Sequence, residues 1–172
     1  KLGEIHATGG GVPELSYYGP LAVLINAVGN DLSPQVHCVA QVADTGAGHP
    51  DAGLYAADQL QDAGGAQPIP GQLPARGVVE AKSPGEDVHA VARGKQVATY
   101  MSKYRQVLVT NYRDFVLAGK DNSGRPDELE SCTFAADEAG LWQLCQHPRR
   151  AANQHGERLG NFLRRVLLRP PP

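Results

Sequence analysis

An α/β fold, a mixed β-sheet flanked by helices, is predicted by this sequence, and three observations carry the prediction. Short apolar runs alternate with helical segments in the order helix, strands, helix, strands. Two β-branched runs, at 77–82 and 107–110, are separated by a stretch of helical character. Parallel neighbours need such a crossover, which is right-handed as a rule. The chain then closes on an amphipathic helix over 151–168, stopped by Pro170-Pro171-Pro172.

The elements follow in order. Residues 1–12, with Gly9-Gly10-Gly11, have the composition of a flexible linker. Pro13-Glu14 opens the first helix, since proline suits a first turn. Leu21, Leu24, Ile25 and Val28 mark its buried face, and Gly29-Asn30 ends it. Residues 36–42 read as a strand, and 52–56 as the next, entered through Pro50-Asp51. The Gln-, Gly-, Ala- and Pro-rich stretch 58–75 is a long excursion between strands. A compact strand over 77–82 ends at Ser83-Pro84-Gly85, and a helix is expected over 86–103. Residues 107–110 form a buried strand, which 115–118 pairs after the turn Asn111-Tyr112-Arg113-Asp114. An edge strand at 129–134 and a helix at 140–145 precede the final helix. The expected division is a core over 13–136 and a helical extension over 137–172, a linker to a further domain.

Composition narrows the function classes. A chain of 172 residues suffices for one domain with its own core. The formal charge of −2 does not advertise nucleic-acid binding, although local patches matter more than the sum. Arg149, Arg150, Arg158, Arg164, Arg165 and Arg169 gather near the carboxyl end, with only Glu157 opposing them. Such a cluster suits either phosphate contacts or a solvated helix face. Cys38, Cys132 and Cys145 are odd in number and lack C-x-x-C spacing, so neither a disulfide framework nor a zinc site is expected. No stretch is apolar and long enough to cross a membrane, and a reducing cytoplasm is the expected compartment. Neither Gly94-Lys95 nor Gly119-Lys120 completes a phosphate-binding P-loop. No N-P-P-[YF] loop or G-x-G cofactor turn is present, so any methylation must come from sequence absent here.

The chemistry-bearing residues are Pro50-Asp51, then Glu80-Ala81-Lys82 at the end of an apolar run. Carboxylate oxygens suit a hard divalent cation, and acids from adjacent strands would hold Mg²⁺ while leaving positions for phosphate and water. Side chains alternate along a strand, so Glu80 and Lys82 share a face and Lys82 stands beside the metal. Downstream, Gln96 and Tyr100 lie four apart, on one helix face.

A P-D…(D/E)-x-K pattern followed by Q-x-x-x-Y resembles the nuclease superfamily to which the RecB nuclease domain belongs. A longer stretch, Arg76 to Val88, the Gln96 motif and Val107-Leu108-Val109-Thr110-Asn111-Tyr112-Arg113-Asp114-Phe115, resembles a narrower group. It is similar to the amino-terminal nuclease region of single-chain restriction-modification enzymes of the type ISP and type IIG kind. Lys95 stands where that group commonly has Glu. The resemblance runs from about residue 7 to 169. It implies a restriction-endonuclease-like fold and a metal-dependent endonuclease acting on double-stranded DNA. It further implies that Asp51, Glu80 and the Ala81 carbonyl hold Mg²⁺, with Mn²⁺ substituting, and that Lys82 handles the attacking water. Gln96 and Tyr100 then hold Lys82 or a phosphate in register, and Glu14 on the first helix approaches the site. For Glu14, a first-turn acid favoured by the helix dipole is an equal reading. The resemblance also implies methyltransferase and target-recognition domains in the same polypeptide. A nuclease-fold DNA-binding module without activity, and a repair or resolvase-type nuclease, share the same core and stay open.

Overall fold

The structure, a computed structural model, describes residues 3, 13–40, 42, 44, 46–61 and 67–169, and of residues 13–16 the backbone alone. The linker-like start at 1–12, apart from residue 3, the closing prolines and the Glu14 side chain lie outside the described residues.

A six-stranded sheet organises the chain, with strands in sequence order. These are β1 (Val36–Ala40), β2 (Ala52–Ala56), β3 (Val78–Ala81), β4 (Val107–Thr110), β5 (Asp114–Lys120) and β6 (Pro126–Thr133). Only β3 and β4 are parallel; every other neighbouring pair is antiparallel. The mixed sheet expected from the sequence is therefore the fold, and the parallel pair is the one with the helical crossover. Helix α1 (Pro13–Asn30) precedes the sheet, α2 (Val88–Ala92) and α3 (Lys95–Tyr104) form the crossover, and α4 (Glu138–Gln146) and α5 (Pro148–Leu168) close the chain.

Each sheet face has its own core. On one, Ile25 of α1 and Phe162, Leu163, Val166 and Leu167 of α5 pack on Leu54, Val79, Leu108 and Leu117. On the other, Val88, Val97, Tyr100, Met101 and Tyr104 of the crossover pack on Val78, Val107, Val109 and Val116. β3 and β4 are buried along their whole length, which explains their continuous apolar runs. At the β1 edge, the Asn26 amide of α1 donates to the Cys38 carbonyl at 3.1 Å and accepts from its N–H at 2.7 Å, so that stretch of edge is covered.

The single helix expected over 86–103 is instead two. The Asp87 carboxylate caps α2 by accepting from the N–H groups of His89 and Ala90. The chain then breaks at Gly94, whose extended backbone (φ −75°, ψ 162°) starts α3. A Cβ there would stand 3.0 Å from the Val91 carbonyl oxygen. The strand expected over 36–42 ends at Ala40, because its partner β2 begins at Ala52, the residue opposite Ala40. β5 and β6 are longer than the expected 115–118 and 129–134, and Pro126 takes the first position of an edge strand, where its missing N–H costs nothing. The final helix begins at Pro148 rather than 151, with proline in its first turn.

Candidate active site

β3 enters the site through Gly77, which has φ +98°; a Cβ there would stand 2.6 Å from the Gln106 carbonyl oxygen, so both conformation and space require glycine. The strand then bonds to β4 through alternate residues: Val78 N–H donates to the Gln106 carbonyl at 3.2 Å and Lys82 N–H to the Thr110 carbonyl at 2.8 Å. Ala81 therefore turns its N–H toward β2. β2 starts only at Ala52, and the Asp51 carboxylate takes over: its Oδ2 accepts from the Ala81 N–H at 2.8 Å. Asp51 N–H donates to the Val79 carbonyl at 3.1 Å. β2 and β3 pair Gly53 with Val78 and Ala52 with Val79, and continuing that register by one residue sets Asp51 across from Glu80.

Glu80 is paired in register with Val109, on the sheet face that α3 covers. It is only 2 % exposed. The Lys82 ammonium lies 2.7 Å from Glu80 Oε1. Such a pair offsets part of the cost of burying a carboxylate in an apolar layer. Tyr100, fully buried on α3, faces the same region. Burial pushes its phenol above the ordinary tyrosine range; the bond from Gln96 opposes this, the Glu80 and Asp51 carboxylates reinforce it, and Lys82 acts the other way. Gln96 is exposed, yet its Nε2 donates to the Tyr100 hydroxyl at 2.8 Å. The structure thus gathers Asp51, Glu80, Ala81, Lys82 and Tyr100 at one end of the sheet, and joins Gln96 to them through Tyr100.

Two supports of the site have no part in it assigned from the sequence. One is Asp44, whose Oδ1 accepts from the N–H groups of Gly46 at 2.7 Å and Gly48 at 3.2 Å. Those two bonds, Gly46 first, hold its carboxyl below the usual carboxylate range. The turn they fix leads into Pro50-Asp51 and passes against Tyr100: a Cβ at Gly48 would lie 3.5 Å from the ring. His49 reaches back to Asp44 at 3.7 Å and is otherwise open to solvent. The signal was present as Asp followed by two closely spaced glycines, the composition of an Asx turn.

The other support is the turn at 111–114. The buried Asn111 amide donates to the Glu86 carbonyl at 2.7 Å, and its oxygen accepts from Asp114 N–H at 2.8 Å and Arg113 N–H at 3.2 Å. Arg113 Nε donates to the Pro84 carbonyl at 2.9 Å, and Nη1 lies 2.8 Å from Asp114 Oδ2 and donates to the Ala136 carbonyl at 3.0 Å. These bonds fasten the loop that immediately follows Lys82.

Among the described residues no three His, Cys, Asp or Glu side chains gather as a metal-holding group. A Mg²⁺ ion that keeps several waters needs only one or two carboxylates, so two carboxylates and one backbone carbonyl form a chemically suitable oxygen set.

No family model and no curated protein matches the chain. Among solved structures, a chain in the cryo-electron-microscopy structure of a DrdV–DNA complex is similar, with a TM-score of 0.51 and 21 % identity over 83 % of this chain and 88 % of that one. The likeness shows the fold, the α/β mixed sheet flanked by helices, with a C-terminal helix, that the sequence predicts. Among the described residues, no helix is long and apolar enough to cross a membrane.

Proposed function

We propose that this chain is a Mg²⁺-dependent endonuclease domain that hydrolyses phosphodiester bonds of double-stranded DNA within a restriction-modification protein. The observation that carries the reading is the convergence of Asp51, Glu80 and Lys82 at the β2–β3 end, with Lys82 2.7 Å from Glu80 and Asp51 bonded to Ala81. The likeness to a protein solved with DNA supports the choice of substrate.

In this reading Asp51, Glu80 and the Ala81 carbonyl hold the ion, and Mn²⁺ substitutes for Mg²⁺. Bound there, the ion supplies Lewis acidity at the phosphate and a lowered pKa for water. Lys82 orients the attacking water through its ammonium and stabilises charge building on the phosphate. Tyr100, held by Gln96, positions Lys82 or a phosphate oxygen. Asp44 and the Asn111–Arg113 turn hold the two loops carrying Asp51 and Lys82. A bond from water oxygen to phosphorus forms as that water gives up a proton to solvent, the bond to the leaving sugar oxygen breaks, and that oxygen takes up a proton from solvent. Glu14 is a further candidate approaching the site. The helical extension over 137–172 connects to methyltransferase and target-recognition domains, and the compartment is a reducing cytoplasm, in keeping with three free thiols.

The test is conversion of supercoiled plasmid to nicked circle by this chain with Mg²⁺ and with chelator. Nicking that requires Mg²⁺ and disappears in Asp51→Asn supports the reading. Nicking by Asp51→Asn at the wild-type rate overturns the assignment of the site.

A further inference from the structure

The arginines near the carboxyl end do not form one patch. Arg164 is bonded to Asn161, and Arg150 lies near the start of α5 with His147 and Gln154. Arg158 and Arg165, two turns apart and so on one helix face, reach instead to the open edge of β6. There they line a cavity of 370 Å³ with Ser131, Cys132, Thr133 and Phe162.

Both guanidinium groups are held in place. Arg158 Nη2 donates to the Thr133 carbonyl, and its Cζ lies 5.5 Å from the centre of the Phe134 ring. Arg165 donates to Glu130 Oε1 from Nε at 2.9 Å and also from Nη2. A guanidinium has five donors, so each retains donors beyond those bonds. The strand contributes more. Phe134 N–H bonds to the Arg113 carbonyl at 2.8 Å, and β5 pairs with β6 in the same register. Antiparallel residues alternate, so Ser131 and Thr133 turn their N–H groups away from β5, toward the cavity. Two cations and two outward N–H groups gather beside one anionic neighbour, Glu130.

The position of this cavity relative to the site follows from the ladders. Ala81 pairs with Thr110, Thr110 with Phe115, and Phe115 with Cys132. The cavity therefore lies at the same end of the sheet as Ala81, three strand spacings away, roughly 14 Å.

We infer that Arg158 and Arg165, with the outward edge of β6 at Ser131 and Thr133, form a phosphate-binding cleft that seats the backbone of duplex DNA at the same end of the sheet as Ala81. The choice of duplex DNA as the occupant rests on the nuclease reading; the phosphate site does not. Such contacts fix register on the duplex and carry no sequence information.

The test is binding of a fluorescent duplex of arbitrary sequence to the whole chain, in chelator, over a range of salt. Arg158→Gln and Arg165→Gln should each reduce the slope of log affinity against log salt by about 0.9. Together they should weaken binding at low salt by about an order of magnitude. Glu130→Gln removes the competing carboxylate and should tighten binding, a change in the opposite direction from any loss of structure. An unchanged slope in the double variant, with its melting transition intact, overturns the cleft; so does absence of duplex binding by the wild-type chain. Plasmid nicking separates the two ideas: a reduced slope without Mg²⁺-dependent nicking keeps the cleft and discards the nuclease reading. An unchanged slope with normal nicking does the reverse.

Discussion

Asp51 carries two roles that one pair of substitutions separates. Its carboxylate completes the β2–β3 ladder by accepting the Ala81 N–H at 2.8 Å, and in the proposed reaction it also holds the ion. Asp51→Ala removes both and leaves the N–H of a residue that is 1 % exposed without its acceptor. An unsatisfied buried donor costs roughly 1–3 kcal/mol, and the partial exposure of Asp51 puts this case near the lower end, about 1–2 kcal/mol. For a chain of 172 residues each kcal/mol moves the melting temperature by about 2–4 °C, so a fall of about 2–8 °C is expected. Asp51→Asn keeps an oxygen that can accept the same bond and should melt within about 1–2 °C of wild type. Both variants should lose nicking and the rise in melting temperature that Mg²⁺ gives the wild type. Thermal unfolding followed by circular dichroism, with Mg²⁺ and with chelator, reads all of this. If Asp51→Asn melts as low as Asp51→Ala, the neutral hydrogen bond is not what the carboxylate contributes. If Mg²⁺ stabilises Asp51→Asn as it does wild type, Asp51 is not a ligand.

Tyr100→Phe and Gln96→Ala should each slow nicking less than Asp51→Asn does, and Gln96→Ala should leave the melting temperature within about 1–2 °C, as expected for an exposed side chain. Equal and complete loss of nicking in Gln96→Ala would place it at the reacting atoms rather than behind Tyr100. Asn111→Ala takes three hydrogen bonds from a fully buried amide and should cost about 3 kcal/mol, seen as a fall of about 6–12 °C in thermal unfolding. A shift under about 2 °C would show that the turn at 111–114 does not fasten the loop after Lys82. Cys38, whose thiol burial pushes up to about 12, should resist alkylation at pH 8 in the folded chain and react on unfolding; mass spectrometry after iodoacetamide treatment reads this.

The sheet was legible because its centre is written in one kind of residue. Val78-Val79 and Val107-Leu108-Val109 are β-branched or aliphatic on both faces, as strands buried on both faces must be. The crossover between them told which pair is parallel. β6 was read short because its edge residues Asp127, Glu128 and Glu130 carry little apolar signal and pair through the backbone. The break at Arg93-Gly94 was hidden because Val88, Ala92, Val97 and Met101 keep an apolar face across it. Of the candidate site, the acids and Lys82 were legible from spacing, since alternation along a strand dictates that Glu80 and Lys82 share a face. Asp44 showed only as an Asx-turn composition and Asn111 and Arg113 only as a turn; their part in holding the site was not legible, because most of their bonds reach backbone atoms of other loops and leave no pattern in side-chain types. The cluster of arginines was legible as charge, but its partition between solvent and the β6 edge depends on the orientation of α5.

The geometry at the end of β3 follows from a shortage of backbone partners. A parallel neighbour takes the N–H groups of Val78 and Lys82, so the N–H of Ala81 must look to the antiparallel side. There the main chain of β2 has already turned away at Asp51, and without an acceptor the strand would fray where the chemistry is proposed. An acid at position 51 satisfies that N–H with one oxygen and has a second for other use. Its place is set by the ladder, and the same ladder sets Glu80 across from it. Strand pairing therefore sets the two backbones from which the carboxylates extend, which is the kind of preorganisation that a site holding an ion requires. By the same reasoning, shifting the β2–β3 register by one residue would turn Glu80 into the opposite core and separate the pair, so the excursion over 58–75 can vary in length only if that register is kept.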